Sequence, residues 1–151
     1  MKIVIDHIAG SRKGQRQEFA STDRLRFGRH PDNEVAFDAH ADLDASSRHA
    51  ELRRRGPDYL LRDVGSSNGT FVDGQRIAEV VLEPGQPIRV EFGGGGPRVR
   101  IFLGDDAAVA DLPEIDEESG GRSPAGRAAM LAAVLVLAGV IIAVIWWRFL
   151  W

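Results

Sequence analysis

Through the first 104 residues, apolar and polar positions alternate in short runs. Lys2–His7 sets Ile3 and Ile5 between polar neighbours, and Arg98–Leu103 sets Val99, Ile101 and Leu103 against Arg98 and Arg100. A period of two places one side of a strand in a core and the other in water. The same reading predicts strands at Gln17–Ala20, Leu25–Gly28, Glu34–Phe37, Ala50–Arg54, Tyr59–Asp63, Thr70–Val72, Ile77–Leu82 and Pro87–Phe92. Turn signals separate them: Gly10 to Gly14, Pro31-Asp32-Asn33, Gly56-Pro57-Asp58, Asp73-Gly74, Glu83-Pro84-Gly85 and Gly93 to Pro97. About ten short strands joined by tight turns predict a mainly β chain built as an antiparallel sandwich or barrel. The longest irregular loop, Asp38–Ala45, runs straight into Ser46.

The pattern changes completely near the C-terminus. Ala128 to Trp147 carries no charge and no strongly polar side chain. As a helix it would be about 30 Å long, the thickness of a bilayer's hydrocarbon core. Arg127 closes one end, and Trp146, Trp147 and Arg148 mark the other. A helix apolar on every face needs an apolar surround that a domain of about a hundred residues does not supply. Residues 128–147 therefore read as one transmembrane helix, with 148–151 as a short tail. Arg122 and Arg127 precede the span and Arg148 follows it, which places the N-terminal part in the cytoplasm of a single-pass protein of the cell (inner) membrane. Small residues at Ala128/Ala132, Ala129/Ala133 and Gly139/Ala143 fit close helix approach. A plain anchor is the expectation, and weak self-association through this helix is the secondary one.

Charge marks a boundary. Residues 1–104 are nearly neutral, whereas Asp105, Asp106, Asp111, Glu114, Asp116, Glu117 and Glu118 follow without a base among them. With Pro113, Pro124 and Ser119-Gly120-Gly121, residues 105–127 read as a disordered linker that holds the domain off the membrane. A near-neutral folded part argues against a nucleic-acid surface. The chain has no cysteine, which excludes disulfides, thiol catalysis and Cys-based zinc sites. His7, His30 and His40 show no ligand spacing, so no metal or cofactor is expected. The Ala-, Gly- and Arg-rich usage suggests a bacterial source.

Three stretches carry candidate chemistry: Phe27-Gly28-Arg29, Ser46-Ser47-Arg48-His49 and Asp63 to Thr70. Each offers a glycine turn, a fixed cation or a small hydroxyl where a phosphate oxygen needs a donor. Arginine grips phosphate as a planar, permanently charged fork. Serine adds a hydroxyl donor, and asparagine both a donor and an acceptor. Two look-alikes fail. Gly65-Ser66-Ser67-Asn68-Gly69 matches the nucleophile elbow of hydrolases, but a strand follows it and no histidine lies beyond His49. Gly93 to Gly96 lacks the Gly-Lys-Ser/Thr signature of a nucleotide loop. No catalytic residue is expected.

The ordered set Gly28-Arg29, Pro31-Asp32-Asn33, Ser46-x-x-His49, Asp63, Asn68-Gly69-Thr70-Phe71 and Asp73-Gly74 resembles the forkhead-associated (FHA) domain over about residues 1–104. The resemblance implies an eleven-stranded β-sandwich that binds phosphothreonine peptides through the loops at one end and is not an enzyme. By position, Arg29 and Ser46 match the phosphate-binding residues, and Ser67 lies where a hydroxyl often stands near the phosphate. Asn68 matches the asparagine that bonds the peptide backbone. His49, Gly28 and Gly69 match supporting positions. Ser47 stands where the family often has Arg, Lys or Asn contacting phosphate or peptide. Arg48, one place later, either supplies that cation or points away.

The expected function is a membrane-anchored phosphothreonine reader, whose partner is a threonine-phosphorylated protein and substrate of a Ser/Thr kinase. Two alternatives stand beside it. One is the regulatory part of a split or truncated protein with an extracytoplasmic protease. The other is a phospho-independent interaction module.

Overall fold

The computed structural model describes residues 1–113. In chain order the strands are β1 (Lys2–Ala9), β2 (Arg16–Ala20), β3 (Arg24–Gly28), β4 (Val35–Ala36), β5 (Ala50–Arg55), β6 (Asp58–Asp63), β7 (Thr70–Val72), β8 (Gln75–Ile77), β9 (Glu79–Leu82), β10 (Ile88–Phe92) and β11 (Arg98–Gly104), followed by helix α1 (Asp106–Ala110). They form two sheets, ordered β2-β1-β11-β10-β7-β8 and β4-β3-β5-β6-β9.

The alternation seen in the sequence builds the core. Ile3, Ile5, Val90, Val99, Ile101 and Leu103 face inward from the first sheet; Leu25, Phe27, Leu52, Tyr59, Leu61 and Leu82 do so from the second. Each such side chain, fully buried, stabilises by about 1.5–3 kcal/mol. Phe27 stacks on Phe92 at 5.1 Å, and Phe37 tilts against Phe92 at 4.9 Å. This aromatic group lies under the loops that carry the candidate chemistry.

Three features depart from the sequence reading. The run read as one strand, Ile77–Leu82, is two. Ile77 pairs with Thr70 in one sheet and Glu79 with Arg62 in the other, so the chain changes sheets at Ala78. Pairing is not wholly antiparallel, because β4 runs parallel to β3. The third departure is at the expected linker, whose first residues fold. Asp105 accepts a hydrogen bond from the Ala108 N–H as the N-cap of α1 (2.9 Å). Val109 then packs with Val4 and Phe102, flanked by Ala108 and Leu112, on the outer face of the first sheet. Asp105, Asp106 and Asp111 are exposed beside this patch: they are compatible with order because the apolar residues between them have a surface to cover.

The expected span at 128–147, its tail and the linker from 114 onward lie outside the described residues. Among the described residues no helix is long and apolar enough to cross a membrane.

Candidate functional site

Gly28 ends β3 and makes the first close approach. A Cβ there would lie 2.3 Å from the Ser47 carbonyl oxygen and 2.9 Å from that of Ser46, both backbone atoms. With only a hydrogen in that space, Arg29 N–H donates to the Ser46 carbonyl (3.1 Å) and His30 N–H to that of Ser47 (3.0 Å). Two of the three stretches are thus stitched edge to edge.

Arg29 is held by backbone. Its Nε donates to the Ala45 carbonyl at 2.6 Å and its Nη1 to the Ala39 carbonyl at 2.9 Å. Among the described residues no carboxylate lies within ion-pair distance of it. The guanidinium is therefore oriented but keeps its charge available, with Nη2 unengaged. Ser46 stands beside it: its Oγ accepts from Ser67 N–H at 3.0 Å, which leaves the hydroxyl proton to be donated elsewhere. Ser67 and Asn68 are exposed. The Asn68 amide Nδ2 donates to the Asp44 carbonyl at 3.0 Å, which fastens the third stretch to the loop that supplies Arg29 with its acceptor.

His49 is the hub beneath. It is fully buried, with its ring edge-on to Phe92. Its Nδ1 accepts from Ser46 N–H (2.9 Å), so the proton lies on Nε2, which donates to the Gly69 carbonyl (2.9 Å). One neutral imidazole thereby spans both loops. Burial pushes its pKa below the usual histidine value, partly opposed by the Gly69 carbonyl. Gly69 itself is at φ +90°, which disfavours any side chain, and its carbonyl also accepts from Gly93 N–H.

Asp63 shapes the third stretch. Its carboxylate accepts from the Gly65 and Ser66 N–H groups and from the Ser66 and Thr70 hydroxyls. Burial alone would raise its pKa; these bonds outweigh burial and hold it at about 2.

The sequence candidates therefore meet in one place, with Ser47 as the exception. The Ser47 side chain is exposed and only its carbonyl takes part, accepting from His30 N–H and from Asn33 Nδ2. Arg48 pairs with Asp32 at 3.0 Å, alongside the His30 ring, in an exposed contact. Two supporting residues had no role in the sequence reading. Asn33 is buried and bonds the His30 and Ser47 carbonyls. Asp42 is buried and receives Ser11 N–H, Ser11 Oγ and Asp38 N–H, fastening the β1–β2 turn to the long loop. Asn33 was visible as a turn residue and a member of the resembling set but without a role, and the tie between Asp42 and Ser11 was hidden because the two are far apart in sequence.

The comparisons agree with this geometry. The family model described as FHA domain matches residues 25–91. The chain is 44% identical over 63 residues to an oxoglutarate dehydrogenase inhibitor of Corynebacterium jeikeium, a match covering 42% of each chain. It is 40% identical over 63 residues to the glycogen accumulation regulator GarA of Mycolicibacterium smegmatis, covering 42% of this chain and 38% of that one. The match therefore spans about two fifths of the length of these relatives. A structure from a structural and functional analysis of phosphothreonine-dependent FHA domain interactions superposes with TM-score 0.56. It shares 24% identity and covers 68% of this chain and 97% of the other. Fold, loop geometry and family match converge: residues 25–91 match the FHA domain model, and the described residues have the FHA-type β-sandwich fold.

Proposed function

We propose that the loop end around Arg29, Ser46, Ser67 and Asn68 binds a phosphothreonine peptide of a partner protein, and that the chain acts as a regulatory binding protein. The observation that carries this reading is Arg29. It is an arginine oriented by two carbonyls, unpaired with acid among the described residues, beside a serine hydroxyl free to donate. A phosphothreonine brings about −1.5 to −2 charges and strong acceptor oxygens to such a set. The phosphate would take Arg29 Nη2, the Ser46 hydroxyl and the Ser67 hydroxyl; Asn68 would bond the peptide backbone. The two curated relatives are described as an inhibitor and a regulator, which supports a regulatory role. Residues 128–147 would tether the domain to the cell membrane on its cytoplasmic side, confining it to a thin layer near membrane-bound partners.

The test is fluorescence polarisation of the full chain in detergent against a degenerate phosphothreonine peptide library, with unphosphorylated and phosphoserine controls. Phosphate-dependent binding that disappears in Arg29→Ala and Ser46→Ala is expected. Binding indifferent to phosphate would overturn the reading in favour of a phospho-independent module. The tether is checked separately by membrane fractionation with and without 128–147.

A further inference from the structure

Arg29 also lines a cavity of about 390 Å³, together with Arg12 and without Ser46. Arg12 belongs to the β1–β2 turn, which the sequence reading treated only as a turn. It is partly buried, and among the described residues its side chain has no hydrogen-bond or ion-pair partner. The backbone from which it projects is nonetheless anchored, because the neighbouring Ser11 is bonded through both N–H and Oγ to the buried Asp42, which also holds the Asp38 N–H. The cavity wall thus includes two segments tied together through Asp42, one on the β1–β2 turn and one running from Ala36 to Ala39, with Arg29 and Pro31 completing it. Asp38 lines the same cavity, with its Oδ1 occupied by the His40 and Ala41 N–H groups (2.8 Å each). Two guanidinium groups and the Asp38 carboxylate line the cavity, and the Asp42 carboxylate is buried behind its wall, bonded to Ser11 and to Asp38 N–H.

We infer that this cavity is a second anion subsite, in which Arg12 receives an acidic group carried by the bound peptide next to its phosphothreonine. The inference rests on the phosphothreonine reading, since Arg29 forms the wall shared by both sites. It also accounts for the short Ser47. The cation absent from the loop after Ser46 is supplied across Arg29 by a different loop, while Arg48 is occupied by Asp32. The acidic group is a carboxylate or a second phosphate; both present anionic oxygens to a guanidinium fork. A partly exposed pair of this kind changes affinity about threefold to fivefold for a carboxylate, and more for the doubly charged phosphate.

The experiment measures the full chain in detergent by fluorescence polarisation. The reference is a phosphothreonine peptide with neutral flanks. Glutamate, or in a separate arm a second phosphothreonine, is walked through three positions on each side. Wild type is expected to gain at least threefold at one or more positions, and the gain should collapse in Arg12→Gln while Arg12→Lys keeps part of it. The stronger arm identifies the natural group. Loss of the gain in Arg12→Gln but not Arg12→Lys also excludes general misfolding. A reference peptide that binds while no acidic position gains, or a gain that survives in Arg12→Gln, overturns the subsite alone. A wild type that binds no phosphopeptide overturns the phosphothreonine reading and the subsite with it.

Discussion

The outer face of the first sheet and the loop end of the sandwich both concentrate arginine, and they treat it in opposite ways. On the sheet face Asp6 is fully buried between Arg16 and Arg100, each reaching it at 2.6 Å. Burial pushes the Asp6 carboxyl up, but hydrogen bonds from the two arginines outweigh it and hold the pKa below the usual value. Arg100 also donates to the Pro113 carbonyl, so that group closes on itself. At the loop end Arg29 is held by two neutral carbonyls and keeps its charge available. An arginine matched to a buried carboxylate stabilises the fold, whereas one fixed by carbonyls keeps its charge open to the anion that the proposed function requires. The distinction is geometric and was invisible in composition, where the two kinds of arginine look alike.

The largest test separates them completely. Asp6→Ala leaves Arg16 and the largely buried Arg100 without their carboxylate and should destabilise the domain by about 3 kcal/mol, read as a lower urea midpoint. The affinity of the folded fraction for phosphothreonine peptide should stay within twofold. Arg29→Ala should do the reverse. It loses charge-assisted bonds to phosphate of about 1.5–3 kcal/mol each, an affinity drop of about a hundredfold, with stability changed by about 1 kcal/mol or less. If Asp6→Ala weakened binding as much as Arg29→Ala, the comparison would fail.

Gly28 is where the two regions cannot be separated. Any side chain there meets the Ser47 and Ser46 carbonyls, which are backbone and move only with the whole loop. Gly28→Ala should cost about 2 kcal/mol of stability and at least tenfold in affinity together. Denaturant titration and peptide binding on one preparation check both. A variant that lost only one would show that the β3 edge and the Ser46 loop are not mechanically coupled.

How much of this was legible depended on how local the cause was. The strand faces were readable because alternation is a two-residue pattern, and the gathering of Arg29, Ser46 and Asn68 at one loop end because their order and spacing matched a known set. The change of sheet at Ala78 was hidden, since a continuous run from Ile77 to Leu82 looks the same whether its neighbours lie in one sheet or two. The role of His49 as a bridge followed from the resemblance, but its neutral state depends on which atoms lie at Nδ1 and Nε2. The start of the expected linker was misread for a different reason. Its acids dominated the average, and the spacing of Val109 and Leu112 mattered only once Val4 and Phe102 were known to be bare on that face.

His49 sharpens the comparison through pH. Its folded pKa is depressed, so below the ordinary value of about 6.5 the unfolded chain binds a proton that the native ring does not accept. Its contribution to stability is therefore complete above about pH 6.5 and is lost as pH falls toward the lower native pKa. The slope within that window is at most about 1.4 kcal/mol per pH unit. His7 is also buried with a depressed pKa and adds in the same direction. His49→Gln in a pH series of denaturant midpoints separates the two. In wild type, ring nitrogen shifts should show the Nε2–H tautomer, and titration of His49 near 6.5 would contradict the bridge. Asp63 acts in a lower window: its stabilisation is complete above about 3.8 and is lost as pH falls toward about 2.

The smallest expected effect concerns α1, which belongs energetically with the sheet face although its sequence looks like linker. Val109 is the only α1 residue buried on that patch, with 8% of its surface exposed. Val109→Ala should cost about 1 kcal/mol, at the low end of core truncations because the patch is small. A chain ending at Gly104 should lose more, since it uncovers Val4 and Phe102 and removes the Pro113 acceptor of Arg100. Neither change touches the Gly28–Ser46–Gly69 loops, so phosphopeptide affinity should stay within twofold in both. Thermal melts and peptide titrations on the two variants check this. Lower affinity in Val109→Ala would mean that packing on the sheet's outer face reaches the loop end through the core, and that the two uses of arginine share one rigid support.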